Sequence, residues 1–215
     1  MEDIIHKIDY VSLDDITKIR RFYNFVVGDA FSGGPYSSEH LKNGMSGCWD
    51  RPLRLENNDN PLLPVMDKLH KEFGDFKIHT ASVRYMAYPF GPHSDIRDTK
   101  WLQEYRKNYN GGYTFLIPLA WKKNYQPGTA FFSSPPDDND PLYAECSEWL
   151  PEHHEKSKIE RNFGVKKLIK WQQPGDLVAW KNFQWHCSLS PEGYVYDPKK
   201  WVKEFISIET YYPKI

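Results

Sequence analysis

The spacing of apolar residues divides the chain into a helical first third and a strand-rich remainder. Within residues 14–29 the apolar side chains recur every three or four positions, which predicts an amphipathic helix. Ser12 followed by Asp15 resembles a capping box at its start, and Gly28 is a suitable stop. A second helix is predicted over residues 61–73, where a proline stands at the first helical position and a glycine follows the end.

The pattern then changes to short runs of β-branched and aromatic residues, separated by Gly, Pro and Asn turns. The strand-like runs are IHTASVRYMAY (78–88), YTFLIPLAW (113–121), QPGTAFFSS (126–134), VKKLIKWQ, DLVAW, FQWHCS and KEFISIETYY. At least seven short strands that follow helices predict an antiparallel sandwich or barrel with helices on one side, and a jelly roll fits that count.

This pattern predicts one domain over residues 1–215. Residues 1–75 form a helical support region in this interpretation, with a loop over 29–58, and residues 76–215 form the jelly-roll core. A short helix is predicted over 98–108, and the Pro-, Asp- and Glu-rich residues 134–163 are predicted to be a long insertion.

Composition narrows the class of protein. The 28 basic and 29 acidic residues give a net charge of −1, so nucleic acid is a disfavoured partner. No apolar run approaches the roughly 18 residues of a membrane-spanning helix, and the acidic N-terminus lacks the features of a signal peptide. The three cysteines are widely spaced and form no CxxC pair. We therefore expect a cytoplasmic protein that has no membrane partner.

Two histidines and one aspartate stand out as candidate metal ligands. His93 and Asp95 form a His-x-Asp triplet directly after a strand and a Pro/Gly turn, and His186 lies in a later strand. Two imidazoles and one carboxylate are the facial triad of non-haem Fe(II) oxygenases, and strand ends in a jelly roll can converge at one mouth. His153 and His154 lie in a charged segment and are better explained as solvated surface residues.

Four stretches of the sequence, taken in their order along the chain, resemble the 2-oxoglutarate- and Fe(II)-dependent dioxygenases, especially their prolyl-4-hydroxylase-like branch. They are RYMAYPFGPHSD, the pair YTFLIPLAW and YQPGTAFF, then QPGDLVAW, and finally WHCSLSP with KEFISIETYY; together they cover roughly residues 78–212. The resemblance implies a double-stranded β-helix core, with Fe(II) held by His93, Asp95 and His186. It also implies 2-oxoglutarate and O2 as co-substrates, and oxidative decarboxylation to succinate and CO2 coupled to hydroxylation.

The resemblance further implies a basic residue that binds the far carboxylate of 2-oxoglutarate at the start of the last core strand. Lys203 stands at that position, although most relatives have Arg there, and Lys199 and Lys200 are rivals. On the strand before the His-x-Asp triplet, Tyr85 and Arg84 point to opposite faces. The resemblance favours Tyr85 as the residue that contacts the co-substrate. If the strand has the opposite register, Arg84 instead points into the barrel.

A peptidyl or small-molecule substrate is favoured over nucleic acid, because no stripe of Lys and Arg with interleaved aromatic residues stands out. Two other classes remain open. A cupin-like metal protein or enzyme would keep the three ligands without 2-oxoglutarate, and a non-catalytic jelly-roll binding module would hold no stoichiometric metal.

Overall fold

A computed structural model describes residues 2–23, 48–86, 94–95, 107, 109–133, 164–189 and 202–214. This part of the chain contains ten strands and two helices. The helices are α1 (Leu13–Arg21) and α2 (Leu63–Phe73). The strands are β1 (Ile4–Lys7), β2 (Cys48–Pro52), β3 (Lys77–Met86), β4 (Tyr109–Asn110), β5 (Tyr113–Trp121), β6 (Gly128–Phe132), β7 (Val165–Lys170), β8 (Leu177–Lys181), β9 (His186–Leu189) and β10 (Lys203–Pro213).

The strands form two antiparallel sheets. The larger sheet has the order β1-β8-β5-β10-β3-β2, with β4 paired to the end of β10, and the smaller sheet has the order β7-β6-β9. β10 is central because it pairs with β3 along one edge and with β5 along the other. It is buried over most of its length, as expected for a strand with neighbours on both edges and packed layers on both faces.

An apolar core lies between the two sheets. Phe131 of β6 and Ile169 of β7 come from the smaller sheet and pack with side chains of the larger one, among them Phe205 and Trp180. The rings of Phe131 and Trp180 meet edge to face with centroids 5.5 Å apart. This packing makes a two-layer arrangement that is consistent with a jelly-roll core.

The helices cover the other face of the larger sheet. Ile16 and Ile19 of α1 and Leu69 and Phe73 of α2 are buried in one cluster with residues of β3, β5, β8 and β10. The N-cap predicted at Ser12 is confirmed, because its hydroxyl accepts a hydrogen bond of 3.1 Å from the backbone N–H of Asp15; the Asp15 carboxylate accepts from that hydroxyl over 2.7 Å. The side chains of the larger sheet therefore alternate between a helix-covered core and the space between the sheets.

The structure corrects one part of the expected layout. The N-terminal region is not only helix and loop, because β1 and β2 join opposite edges of the larger sheet. β2 lies within residues 29–58, which were predicted to be loop. The second helix begins at Leu63, two residues after the predicted start. The insertion predicted over residues 134–163 and, apart from residue 107, the helix predicted over 98–108 lie outside the described residues.

Within the described ranges, no helix is both long and apolar enough to cross a lipid bilayer.

Candidate metal centre and co-substrate cavity

Asp95 and His186, two of the three predicted metal ligands, lie next to each other. His186 is the first residue of β9 in the smaller sheet, and its Nε2 lies 3.7 Å from Oδ1 of Asp95. Their side chains are 7% and 8% exposed respectively. The separation of the two atoms is longer than a hydrogen bond. The fold therefore brings an imidazole and a carboxylate from distant parts of the sequence to one buried point.

The other oxygen of the Asp95 carboxylate is held by two side chains of the larger sheet. The Thr114 hydroxyl donates to Oδ2 over 2.6 Å, and the Trp180 indole N–H donates to the same oxygen over 2.9 Å. Thr114 is near the start of β5 and Trp180 near the end of β8, which are paired strands. Because both donors engage Oδ2, Oδ1 is the oxygen that is presented to His186. Such supporting hydrogen bonds commonly orient metal ligands.

The imidazole of His186 is oriented by the backbone. Its Nδ1 lies 2.9 Å from the carbonyl oxygen of Gln184. A carbonyl can only accept, so Nδ1 carries the proton and the lone pair of the neutral ring is on Nε2, the atom that faces Asp95. The indole of Trp180 packs against the ring with centroids 4.6 Å apart. A neutral imidazole nitrogen and a carboxylate oxygen that face one point fit a divalent metal ion of intermediate hardness.

His93, the third predicted ligand, lies outside the described residues. Among the residues that are described, no group of three or more His, Cys, Asp or Glu side chains could hold a metal ion. The structure therefore places two of the three predicted ligands, Asp95 and His186, next to each other, and the assignment of all three as metal ligands stays a prediction.

A cavity next to these two side chains contains Lys203. The cavity lies between the two sheets and opens to solvent, and its empty space is about 400 Å³ with the open solvent included. Lys203, the first residue of β10, is 1% exposed. Its ammonium donates to the Ser188 hydroxyl over 2.7 Å and lies 5.3 Å and 5.5 Å from the ring centroids of Trp171 and Phe205. The rival residues Lys199 and Lys200 lie outside the described residues.

Arg84, and not Tyr85, faces this cavity. Tyr85 is 3% exposed and packs with Val83 in the core beneath the helices, whereas Arg84 lines the cavity on the opposite face of β3. The physical reason is the register of β3 with β10, which pairs Arg84 with the inward-facing Phe205. The contact of Tyr85 with a co-substrate, which the resemblance favoured, is therefore not supported by its position.

Glu209 is a further charged residue near the centre that the sequence analysis did not single out. Its Oε1 lies 3.5 Å from Nη2 of Arg84, and the two side chains are 14% and 21% exposed respectively. Burial, and then the negative charge of Asp95, raise the pKa of Glu209 to about 7, although Arg84 and Thr80 oppose the rise. The alternation from Lys203 through Phe205 and Ser207 could have indicated that position 209 shares their face.

Comparison with known proteins identifies a shared fold. No family model matches the chain, and no curated protein matches it. EctD from S. alaskensis, solved with 2-oxoglutarate and 5-hydroxyectoine, superposes with a TM-score of 0.55 at 13% identity, over 98% of this chain and 72% of EctD. SnoK, a non-heme alpha-ketoglutarate-dependent carbocyclase from nogalamycin biosynthesis, superposes with a TM-score of 0.52 at 9% identity, over 98% of this chain and 79% of SnoK.

A Pseudomonas putida prolyl-4-hydroxylase gives a TM-score of 0.48 at 11% identity, over 100% of this chain and 94% of the hydroxylase. That score is too low to favour the prolyl-4-hydroxylase-like branch. At these identities the likeness to EctD and SnoK shows the fold, which agrees with the two antiparallel sheets and the helix-covered outer face. The activity has to be argued from the side chains of the site.

Proposed function

We propose that the protein is an Fe(II)- and 2-oxoglutarate-dependent dioxygenase that hydroxylates a peptidyl or small-molecule substrate. The observation that carries the proposal is the buried ammonium of Lys203 in the same cavity as Asp95 and His186. A metal site alone does not require a buried cation beside it. A metal site with a cation at the other end of a small cavity fits a ligand that has a chelating end and a distant carboxylate.

Each side chain has a role in this proposal. Asp95 and His186, with His93 as the expected third ligand, would hold the iron, and Thr114 and Trp180 orient the carboxylate of Asp95. Lys203 and Ser188 would bind the far carboxylate of 2-oxoglutarate. Because the ammonium is buried, its attraction for this carboxylate is weakly screened by solvent. The sequence resemblance supports the same assignment.

Bound iron would supply the oxidation: one O2 and one 2-oxoglutarate give succinate, CO2 and one oxygen atom, which enters a C–H bond of the substrate. The protein provides binding, orientation and exclusion of water. The packed rings of Trp171, Trp180 and Phe205 line the cavity and limit the access of water to the reacting groups.

The first experiment is anaerobic titration of metal-free protein with Fe(II), followed by 2-oxoglutarate. We expect the weak visible charge-transfer band that a chelating 2-oxo acid gives on ferrous iron. The band should be absent from the His186→Ala and Asp95→Ala variants. His70→Ala is the matched control, because His70 lies on α2 and stacks on Phe76 away from the cavity.

Two results would contradict the proposal. If iron binds to the wild-type protein but 2-oxoglutarate produces no band, the site is a metal site without this co-substrate, as in a cupin-like protein. If no iron binds to wild-type protein that circular dichroism shows to be folded, a non-catalytic binding module is the better description.

A further inference from the structure

The register of β6 with β9 fixes the order of the residues that line the Lys203 end of the cavity. His186 and Ser188 are two residues apart on β9, and both line the cavity. Their partners on β6 are Phe131, opposite His186, and Thr129, opposite Ser188. A two-residue step along a strand is about 7 Å. The candidate ligand His186 and the hydroxyl that contacts Lys203 are therefore one such step apart.

Ser188 can be a second hydrogen-bond donor beside Lys203. Its side chain is buried, and its hydroxyl oxygen accepts from the ammonium over 2.7 Å, so the hydroxyl proton is left to be donated. No acceptor for that proton is found among the residues that the structure describes. A carboxylate that reaches this point can accept one hydrogen bond from Lys203 and one from Ser188. The two residues together would give the two-point contact that a lysine alone does not make.

Trp171 lies beyond this pair, on the side away from His186. Its backbone N–H donates to the carbonyl oxygen of Pro127 over 3.1 Å, and position 127 is one two-residue step past Thr129. The indole N–H donates back to the Thr129 hydroxyl over 3.4 Å, and the ring centroid lies 5.3 Å from the ammonium of Lys203. The indole therefore stands behind the point where the far carboxylate would be bound.

The indole of Trp171 is held in place by its neighbours. The rings of Phe205 and Trp121 meet it edge to face, with centroids at 5.8 Å and 6.4 Å, and Trp171 is 1% exposed. A side chain packed on several sides moves only at a cost, because protein interiors are close-packed. Trp171 therefore has the properties of a fixed wall.

We propose that Trp171 sets the length of the 2-oxo diacid that the cavity accepts. The five-carbon 2-oxoglutarate extends from the candidate metal ligands to Ser188 and Lys203, and a diacid with one more carbon pushes against the indole. This inference rests on the proposed function and adds a specificity-determining residue to it. One methylene too many for a closed pocket weakens a ligand by about 10- to 200-fold.

The test is anaerobic titration of the Fe(II)-loaded protein with 2-oxoglutarate and, separately, with the six-carbon 2-oxoadipate. The charge-transfer band reports chelation of either acid, and its dependence on concentration gives the Kd. We expect the wild-type protein to bind 2-oxoadipate about 10- to 200-fold more weakly than 2-oxoglutarate.

Two variants assign this preference to the indole. Trp171→Leu shortens the wall, so 2-oxoadipate should bind more tightly than it does to the wild-type protein and the preference should largely disappear. Trp121→Leu is the matched control, because Trp121 packs against Trp171 in the same cluster but is not among the described residues that line the cavity. It should keep the wild-type preference.

The outcomes separate this inference from the proposed function. If 2-oxoglutarate gives the band but wild-type protein binds 2-oxoadipate equally well, or Trp171→Leu keeps the wild-type preference, the role of Trp171 is excluded and the oxygenase proposal stands. If 2-oxoglutarate gives no band, the oxygenase proposal fails and the inference falls with it. If Trp171→Leu does not fold, Trp171→Phe replaces it: a reduced preference supports the inference and an unchanged one overturns it.

Discussion

Replacement of Lys203 by methionine separates the apolar packing of this buried side chain from the charge of its ammonium. Lys203 is 1% exposed and packs beside the rings of Trp171 and Phe205, whose centroids lie 5.3 Å and 5.5 Å from its ammonium. Methionine keeps much of this apolar packing and removes the charge. We therefore expect little change in the unfolding temperature of the ligand-free protein, because the desolvation cost of the ammonium is removed together with its hydrogen bond to Ser188.

The binding of 2-oxoglutarate should change much more. Loss of one partner from a buried, hydrogen-bonded charge pair costs about 2–4 kcal/mol, or roughly 30- to 1,000-fold in Kd. At a concentration of about 100 times the wild-type Kd, the ligand stabilises the wild-type protein by about 2.7 kcal/mol, which raises the unfolding temperature by about 5–10 °C. A hundredfold weaker variant gains only about 0.4 kcal/mol, or about 1 °C, under the same conditions.

The assay is thermal unfolding with and without 2-oxoglutarate, in the presence of a redox-inert divalent metal. Lys170→Met is the control, because Lys170 is exposed on β7. A variant at Lys203 that keeps the full ligand-induced shift would refute the role of this residue. If Arg84→Met removed the shift instead, Arg84 would be the residue that binds the co-substrate.

Three further predictions concern the support of the site and the fold. Thr114→Val removes the hydroxyl that donates to Asp95 over 2.6 Å, so we expect the Kd for Fe(II) to rise about 10- to 100-fold in the same titration. Thr17→Val, at an exposed position of α1, should leave this Kd unchanged. The pKa of Glu209 is raised to about 7 from an ordinary 4.5, so between these pH values the metal-free folded state retains a proton that the unfolded state has lost. The contribution of Glu209 to stability therefore falls as the pH rises from 4.5 to 7. The difference in unfolding free energy between wild type and Glu209→Gln should change by up to about 3 kcal/mol across that window, and no change would contradict the shift. Gly112→Ala should lower the unfolding free energy by about 1–3 kcal/mol in denaturant titrations, because the new Cβ would lie 1.8 Å from the carbonyl oxygen of Thr210, whereas Gly111→Ala meets only the Phe183 ring at 3.3 Å and should cost less.

The strands of the core could be predicted from the sequence because each is a short apolar run between turn residues. The run predicted over residues 78–88 is β3, Lys77–Met86, and YTFLIPLAW is β5. β1 could not be predicted in the same way. It has only four residues and gains its stability by pairing with β8, which is far along the chain, so local sequence carries little information about it.

The orientation of a strand was harder to predict than its position. Near its end, β3 buries side chains on both faces: Val83 and Tyr85 in the helix-side core, and Met86 in the core between the sheets. Alternation therefore places Arg84 and Tyr85 on opposite faces without saying which face contains the cavity. Glu209 illustrates a related limit, since a glutamate in a strand predicts exposure to solvent, whereas this side chain is only 14% exposed.

For the candidate ligands, the closeness of Asp95 and His186 followed from residue type and from the expectation that jelly-roll strand ends converge. Their supporting contacts did not. Thr114 and Trp180 both lie in stretches that resemble the dioxygenases, but their contacts with Asp95 depend on the pairing of β5 with β8, which the stretches alone do not show.

The position of Trp180 also gives the protein an optical reporter. Its indole N–H donates a hydrogen bond to Asp95, and the centroid of its ring lies 4.6 Å from that of His186. A metal ion held by these two residues would therefore lie close to the indole, which is fluorescent. Paramagnetic ions quench indole emission at such distances. Of the eight tryptophans in the chain, Trp180 is the one with a hydrogen bond to a candidate ligand among the described residues. Its emission should therefore report occupancy of the centre during a titration, without an added dye.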